Sequence, residues 1–128
     1  MAPMLPTALQ VALGGAIGAT LRWALGLAFL RALGPTALPL PVLTANVLGS
    51  MAMGAFVVLA AQRGLAHISP FVTTGLLGGF TTFSAFSLET VMLIERGQAA
   101  TAALYVLLSV ALSVGSLWIG VAAMRAAL

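Results

Sequence analysis

The sequence predicts an all-α integral membrane protein with four transmembrane helices, and three observations carry that prediction. Only 5% of the 128 residues are charged and 62% are hydrophobic, with a mean hydropathy of +1.18. A soluble domain carries about 25% charged residues, so a surface this poor in charge has to be solvated by lipid. The apolar residues gather into four runs, each near the ~20 residues that cross the hydrocarbon core. The alternating ~10-residue segments of a closed barrel do not occur in the sequence. Helices are then the way to satisfy the backbone in lipid. The length fits one domain over residues 1–128, with almost nothing outside the bilayer.

The first span covers residues 7–33. No basic n-region and no small-residue cleavage site before a polar segment precedes it, so Thr7 onward reads as a span and not as a signal peptide. Gly34-Pro35 through Pro39 and Pro41 break the chain before the second span, residues 41–61. Gln62-Arg63-Gly64 ends that span, and Ser69-Pro70 reads as an N-cap serine with proline at the first helical position. The third span covers residues 70–94. Gly78-Gly79 followed by Thr81-Thr82 makes a poor helix centre, so this helix is expected to be broken mid-membrane. Irregular backbone at that depth is tolerated where it is buried or lines a cavity. Glu95-Arg96-Gly97 precedes the fourth span, residues 99–124.

The net charge of +3 comes from arginines and two glutamates at or near span ends, which reads as interfacial anchoring. A nucleic-acid partner is not expected, because no polar face exists to carry a basic stripe. With no cysteine and one histidine, thiol chemistry, a metal-hydrolase site and an acid–base pair are excluded. No glycine-rich loop with lysine is present for phosphates. The chain is therefore not expected to be an enzyme.

With four spans both termini lie on one side. That side carries Arg63 and Arg125, with His67 marginal, and the other carries Arg31 and Arg96 beside Glu95. The balance prefers no orientation. Either Arg22 or the amino terminus decides the topology, or the protein inserts both ways and pairs as an antiparallel homodimer. Gly14 with Gly18, Gly15 with Ala19, Ser50 with Gly54, and Ser116 with Gly120 are small pairs at i, i+4 that let helices approach closely in lipid. So many such faces fit a dimer, and each alone fits ordinary helix packing.

Polar residues inside spans are where function is expected. Asn46 shares a face with Ser50 and Gly54. Its amide either bonds a neighbouring helix or donates to an anion. Tyr105, Ser109, Ser113 and Ser116 form one stripe that covers about 16 Å. A lone serine often bonds its own i−4 carbonyl, but hydroxyls in register can replace the hydration shell of a small ion stepwise. Phe83 and Phe86 share a face at i, i+3. They either pack or present the partial positive charge of their edges to an anion. Arg22 and Glu89 lie toward span ends and read as snorkelling residues, although Arg22 at a mouth would also attract anions. At the expected break, carbonyls without N–H partners call for a hard cation. Gly78 and Thr81, with the same pair from an antiparallel partner, would supply oxygens to a monovalent ion.

Three stretches resemble the signatures of one family, the Fluc fluoride channels, also called CrcB fluoride exporters. They are Gly14-Gly15-Ala16-Ile17-Gly18-Ala19-Thr20-Leu21-Arg22-Trp23, Thr44-Ala45-Asn46-Val47-Leu48-Gly49-Ser50, and Gly78 through Ser87 with Glu89-Thr90. The resemblance covers all four spans. It implies dual-topology homodimers in the cell membrane that pass fluoride passively out of the cytoplasm through two antiparallel pores, relieving fluoride toxicity. It places Asn46, Phe83, Phe86, Tyr105, Ser109 and Ser113 on the fluoride pathway. It also places a structural sodium, not transported, on the backbone carbonyls of Gly78 and Thr81. Ala85 departs from the family, where many members have threonine. Two other classes fit the size of the chain. A small dual-topology multidrug/proton antiporter needs a membrane-embedded carboxylate, typically central in the first helix, where this chain has none. A non-transporting assembly factor leaves the hydroxyl stripe and the glycine break without a purpose.

Overall fold

A computed structural model describes residues 4–128 and is all-helical among them. Residues 1–3 of the domain expected over 1–128 lie outside the described residues. The order is α1 (Met4–Leu33), α2 (Leu40–Arg63), a 3₁₀ turn (Ala66–Ile68), a π-helical segment (Pro70–Leu77), α3 (Gly78–Phe80), α4 (Phe83–Glu95) and α5 (Ala99–Ala127). Four helical stretches are long and apolar enough to cross a membrane: Pro6–Leu33, Leu40–Arg63, Ala66–Glu95 and Ala99–Ala127.

The ends follow from local chemistry. Gly64 stops α2 in the left-handed region at φ 65°, and its N–H closes on the Ala60 carbonyl; a side chain there would be strained. Ser69 does not cap the third span as its hydroxyl suggests. Its backbone is already helical (φ −57°, ψ −39°) and its N–H bonds Ala66 O, because the 3₁₀ turn starts the helix earlier. Ser69 instead offers its carbonyl to Thr73 Oγ1 at 2.7 Å. The widened turns from Pro70 to Leu77 have no counterpart in the sequence reading.

The spans pack as two close pairs. Gly14 and Gly18 of α1 sit against the backbone of the third span; a Cβ on Gly14 would meet Leu76 N at 2.7 Å and one on Gly18 would meet Phe80 N at 2.8 Å. Gly79 answers from the other side, where a Cβ would lie 2.8 Å from Gly15 O. On α2 and α5, Gly54 packs on the Leu117 carbonyl and Gly120 on the Met51 carbonyl. Backbones can approach this closely only where side chains are missing. The small-residue faces are thus used within the chain and carry no argument about a second copy. Large apolar residues such as Leu13, Trp23, Leu107 and Trp118 face outward, as lipid requires.

Candidate functional site

Thr81 and Thr82 adopt extended backbone (ψ 158° and 127°) between α3 and α4. Thr81 N–H still closes on Leu77 O at 3.0 Å, but the N–H and carbonyl of Thr82 leave the helical ladder and need partners elsewhere. Asn46 of α2 provides them. Its Nδ2 donates to Thr82 O at 3.0 Å, and Thr82 N donates to Asn46 Oδ1 at 2.8 Å. Gly49, one turn further on, leaves the space into which the Thr81 side chain projects. The Thr82 hydroxyl caps α4 by accepting from Ala85 N at 3.1 Å. From α1, Arg22 Nε donates to Gly79 O at 3.3 Å, so Arg22 is bound to the protein backbone here and not simply extended toward the interface.

These bonds have a consequence for two carbonyls. In an unbroken helix Gly78 O accepts from Thr82 N–H and Thr81 O accepts from Ala85 N–H. Both donors are committed elsewhere, to Asn46 Oδ1 and Thr82 Oγ1. Gly78 O and Thr81 O are thus two of the carbonyls at this segment that lose their helical donors, while Gly79 O accepts from Arg22 and Thr82 O from Asn46.

Beside this segment runs a groove of about 250 Å³ on the outer surface, lined by α2, the Thr81–Thr82 segment, α4 and α5. Asn46, Phe83, Phe86, Ser109 and Ser113 all line it, so five of the residues expected on an ion pathway are brought together. The Phe83 and Phe86 rings meet at 5.5 Å with a 53° tilt. Phe86 is 9% exposed and Phe83, at the groove's lip, 78%. Thr20, Thr73, Ser87 and Thr90 bond the carbonyl four residues back. Ser109 does not. Its hydroxyl is buried with no hydrogen-bond partner, and an unpartnered buried hydroxyl costs about 1–3 kcal/mol. Ser113 is partly exposed and Ser116 is buried.

Tyr105 is placed differently from the rest of its stripe. It is fully buried behind Phe86, with ring centroids 5.2 Å apart, and its hydroxyl donates to Glu89 Oε2 at 2.7 Å. Glu89 is therefore held inside the protein by a hydrogen bond. The groove also includes Val110 and Val114, which sequence reasoning did not single out, and Thr82, which it noted only as a poor helix former. For Thr82 the available signal was a threonine three residues before the N–H of Ala85, the spacing of a cap. Ser50 lines the groove too, on the face it shares with Asn46.

Four spans, three of them lining a groove of hydroxyls, an amide and two phenyl rings, make this a small multi-pass membrane protein. Within that class the chain belongs to the CrcB family: the family model described as "CrcB-like protein, Camphor Resistance (CrcB)" matches residues 9–121. The chain is 62% identical over 125 residues to "Fluoride-specific ion channel FluC" of Ruegeria sp. (strain TM1040), covering 98% of this chain and 99% of that one. It is 65% identical over 111 residues to the protein of the same name from Roseobacter denitrificans (strain ATCC 33942 / OCh 114), covering 86% and 88%. It is 52% identical over 122 residues to that of Cereibacter sphaeroides (strain ATCC 17029 / ATH 2.4.9), covering 95% and 97%.

Proposed function

We propose that this chain is a fluoride-selective channel of the plasma membrane that lets fluoride leave the cytoplasm passively and so relieves fluoride toxicity. The names of its relatives support this reading. The structural observation that carries it is the groove, where the buried, unpartnered Ser109 hydroxyl lies beside two phenylalanine rings and Asn46. A small anion that sheds water needs donors. Ser109 and Ser113 offer hydroxyls, Asn46 keeps one amide N–H beyond its bond to Thr82, and ring edges offer partial positive charge without a counter-ion. Arg22 is tied to Gly79 O and does not line the groove, so any attraction it exerts on an anion acts at longer range. No chemical step on a substrate is involved. The antiporter reading finds no support: the relatives are named as fluoride channels, and the first helix carries no carboxylate to exchange protons.

The working unit is an antiparallel dual-topology homodimer with its third helix broken mid-membrane. The groove is open on one side and Phe83 projects from its edge, so a second copy supplies the missing wall. Balanced loop arginines allow that copy to insert the opposite way. A structural sodium between the copies would be held by the Gly78 and Thr81 carbonyls and would neutralise their loss of N–H partners.

Purified protein in liposomes, with an ionophore to balance charge, is expected to release fluoride and retain chloride. Phe83→Ile and Phe86→Ile keep bulk but remove the quadrupole, and each is expected to abolish release without loss of folding. Wild-type vesicles that hold their fluoride, or lose chloride equally fast, end the proposal.

A further inference from the structure

The electrostatic use of a ring depends on its orientation. The edge of a phenyl ring is positive and its face negative, so a rotation that swaps edge for face turns attraction for an anion into repulsion. Phe86 therefore has to be held in one attitude, and what lies behind it is Tyr105, tilted 49° against it. Tyr105 is the one large side chain with no exposure among the described residues. Its hydroxyl, on the long axis of the ring, ends on Glu89 Oε2. Glu89 does not reach the groove. It lines a separate cavity of about 200 Å³ with Thr36, Pro39 and Arg96.

Packing alone does not explain this pair. A phenylalanine at position 105 would fill nearly the same volume and would need no acceptor, whereas a carboxyl group inside a span is costly. We infer that Glu89 is a positioning residue that acts through Tyr105: it holds the tyrosine hydroxyl, the tyrosine ring backs Phe86, and Phe86 keeps its edge toward the groove. This inference rests on the fluoride reading above. It requires an acceptor at position 89 and not a charge, which separates it from an electrostatic role of the carboxylate.

The test compares Glu89→Ala, Glu89→Gln and Tyr105→Phe in reconstituted vesicles, with size-exclusion profiles to confirm folding. Glu89→Gln keeps an oxygen that accepts the tyrosine proton, and it is expected to release fluoride within about twofold of wild type. Glu89→Ala and Tyr105→Phe are expected to slow release about tenfold or more, equivalent to ~1.4 kcal/mol of barrier. This chain has a single tyrosine, so its Raman Fermi doublet reports the hydroxyl's hydrogen bond without interference. The doublet is expected to change in Glu89→Ala and to persist in Glu89→Gln, whether or not the protein conducts. An unchanged doublet in Glu89→Ala overturns the positioning role. So does wild-type release in Glu89→Ala, or release as slow in Glu89→Gln as in Glu89→Ala. A wild-type protein that passes no fluoride refutes the function instead, and the doublet still decides whether Glu89 holds Tyr105.

Discussion

Asn46 holds the extended backbone of the third span, so truncating it tests fold and conduction together. Asn46→Ala removes two hydrogen bonds, of 3.0 and 2.8 Å, and leaves the Thr82 N–H and carbonyl without partners. Leaving a buried donor or acceptor unmade costs about 1–3 kcal/mol each, which gives about 2–6 kcal/mol for the pair. Interhelical bonds measured in membranes average only ~0.6 kcal/mol, which sets a floor near 1 kcal/mol. Asn46→Asp separates the two roles. A carboxylate still accepts from Thr82 N but faces Thr82 O without a proton to give, so about half of the structural loss remains. Its charge also meets any anion in the groove. At ~4 Å and an effective dielectric constant near 20 that repulsion is about 4 kcal/mol, or roughly a thousandfold in rate. Thermal unfolding in detergent, followed by the two tryptophans, is expected to show Asn46→Ala as the less stable variant. Fluoride efflux from vesicles is expected to show Asn46→Asp as the slower one among folded molecules. Wild-type melting of Asn46→Ala would refute the clamp, and wild-type efflux in Asn46→Asp would remove Asn46 from the pathway.

Other substitutions probe packing, donors and the cation separately. Gly79→Ala places a Cβ 2.8 Å from Gly15 O; overpacking of this kind costs about 1–3 kcal/mol, and a lower melting temperature is expected. Gly115→Ala meets nothing within 4 Å and is expected to raise helix stability by about 0.5–1 kcal/mol; equal melting of the two variants would contradict the packing described. Ser109→Ala removes an unpartnered buried hydroxyl, so it is expected to leave melting unchanged or slightly raised while slowing fluoride efflux; unchanged efflux would show that the hydroxyl meets no ion. Exchange of sodium for a large organic cation is expected to lower the melting temperature of wild type, and insensitivity to sodium would oppose a cation at Gly78 and Thr81.

The four spans were legible because hydropathy integrates over about 20 residues, and that signal survives local errors. The π-helical turns of Pro70–Leu77 were not legible, because two adjacent threonines in an otherwise apolar segment set no repeat from which its pitch can be read. Ser69 misled for a related reason: a serine before a proline has the composition of a cap, yet the preceding Ala66–Ile68 turn already holds it in helical backbone. The groove was legible in its parts. Asn46, the phenylalanines and the serines each drew notice as polar or paired residues in an apolar chain. Their partners were not. Asn46 bonds Thr82 from 36 residues away and Tyr105 meets Glu89 from 16, and no local spacing encodes such a contact. The small-residue pairs show the same limit. A Gly-x-x-x-Gly face states that something comes close, not whether it is the same chain or another, and here Gly14, Gly18, Gly54 and Gly120 all meet their own chain.

One residue, Thr82, connects the groove to the carbonyls of Gly78 and Thr81. Its N–H and carbonyl bind Asn46, its hydroxyl caps α4, and both acts withdraw donors from Gly78 O and Thr81 O. The capped helix begins at Phe83, so the same cap sets where the first ring emerges and, three residues on, where Phe86 turns inward. The carbonyls left without helical donors and the placement of the two rings are therefore products of the same few hydrogen bonds. Moving the break by one residue would give up both the Asn46 bonds to Thr82 and the space Gly49 leaves for the Thr81 side chain, because each contact depends on this register.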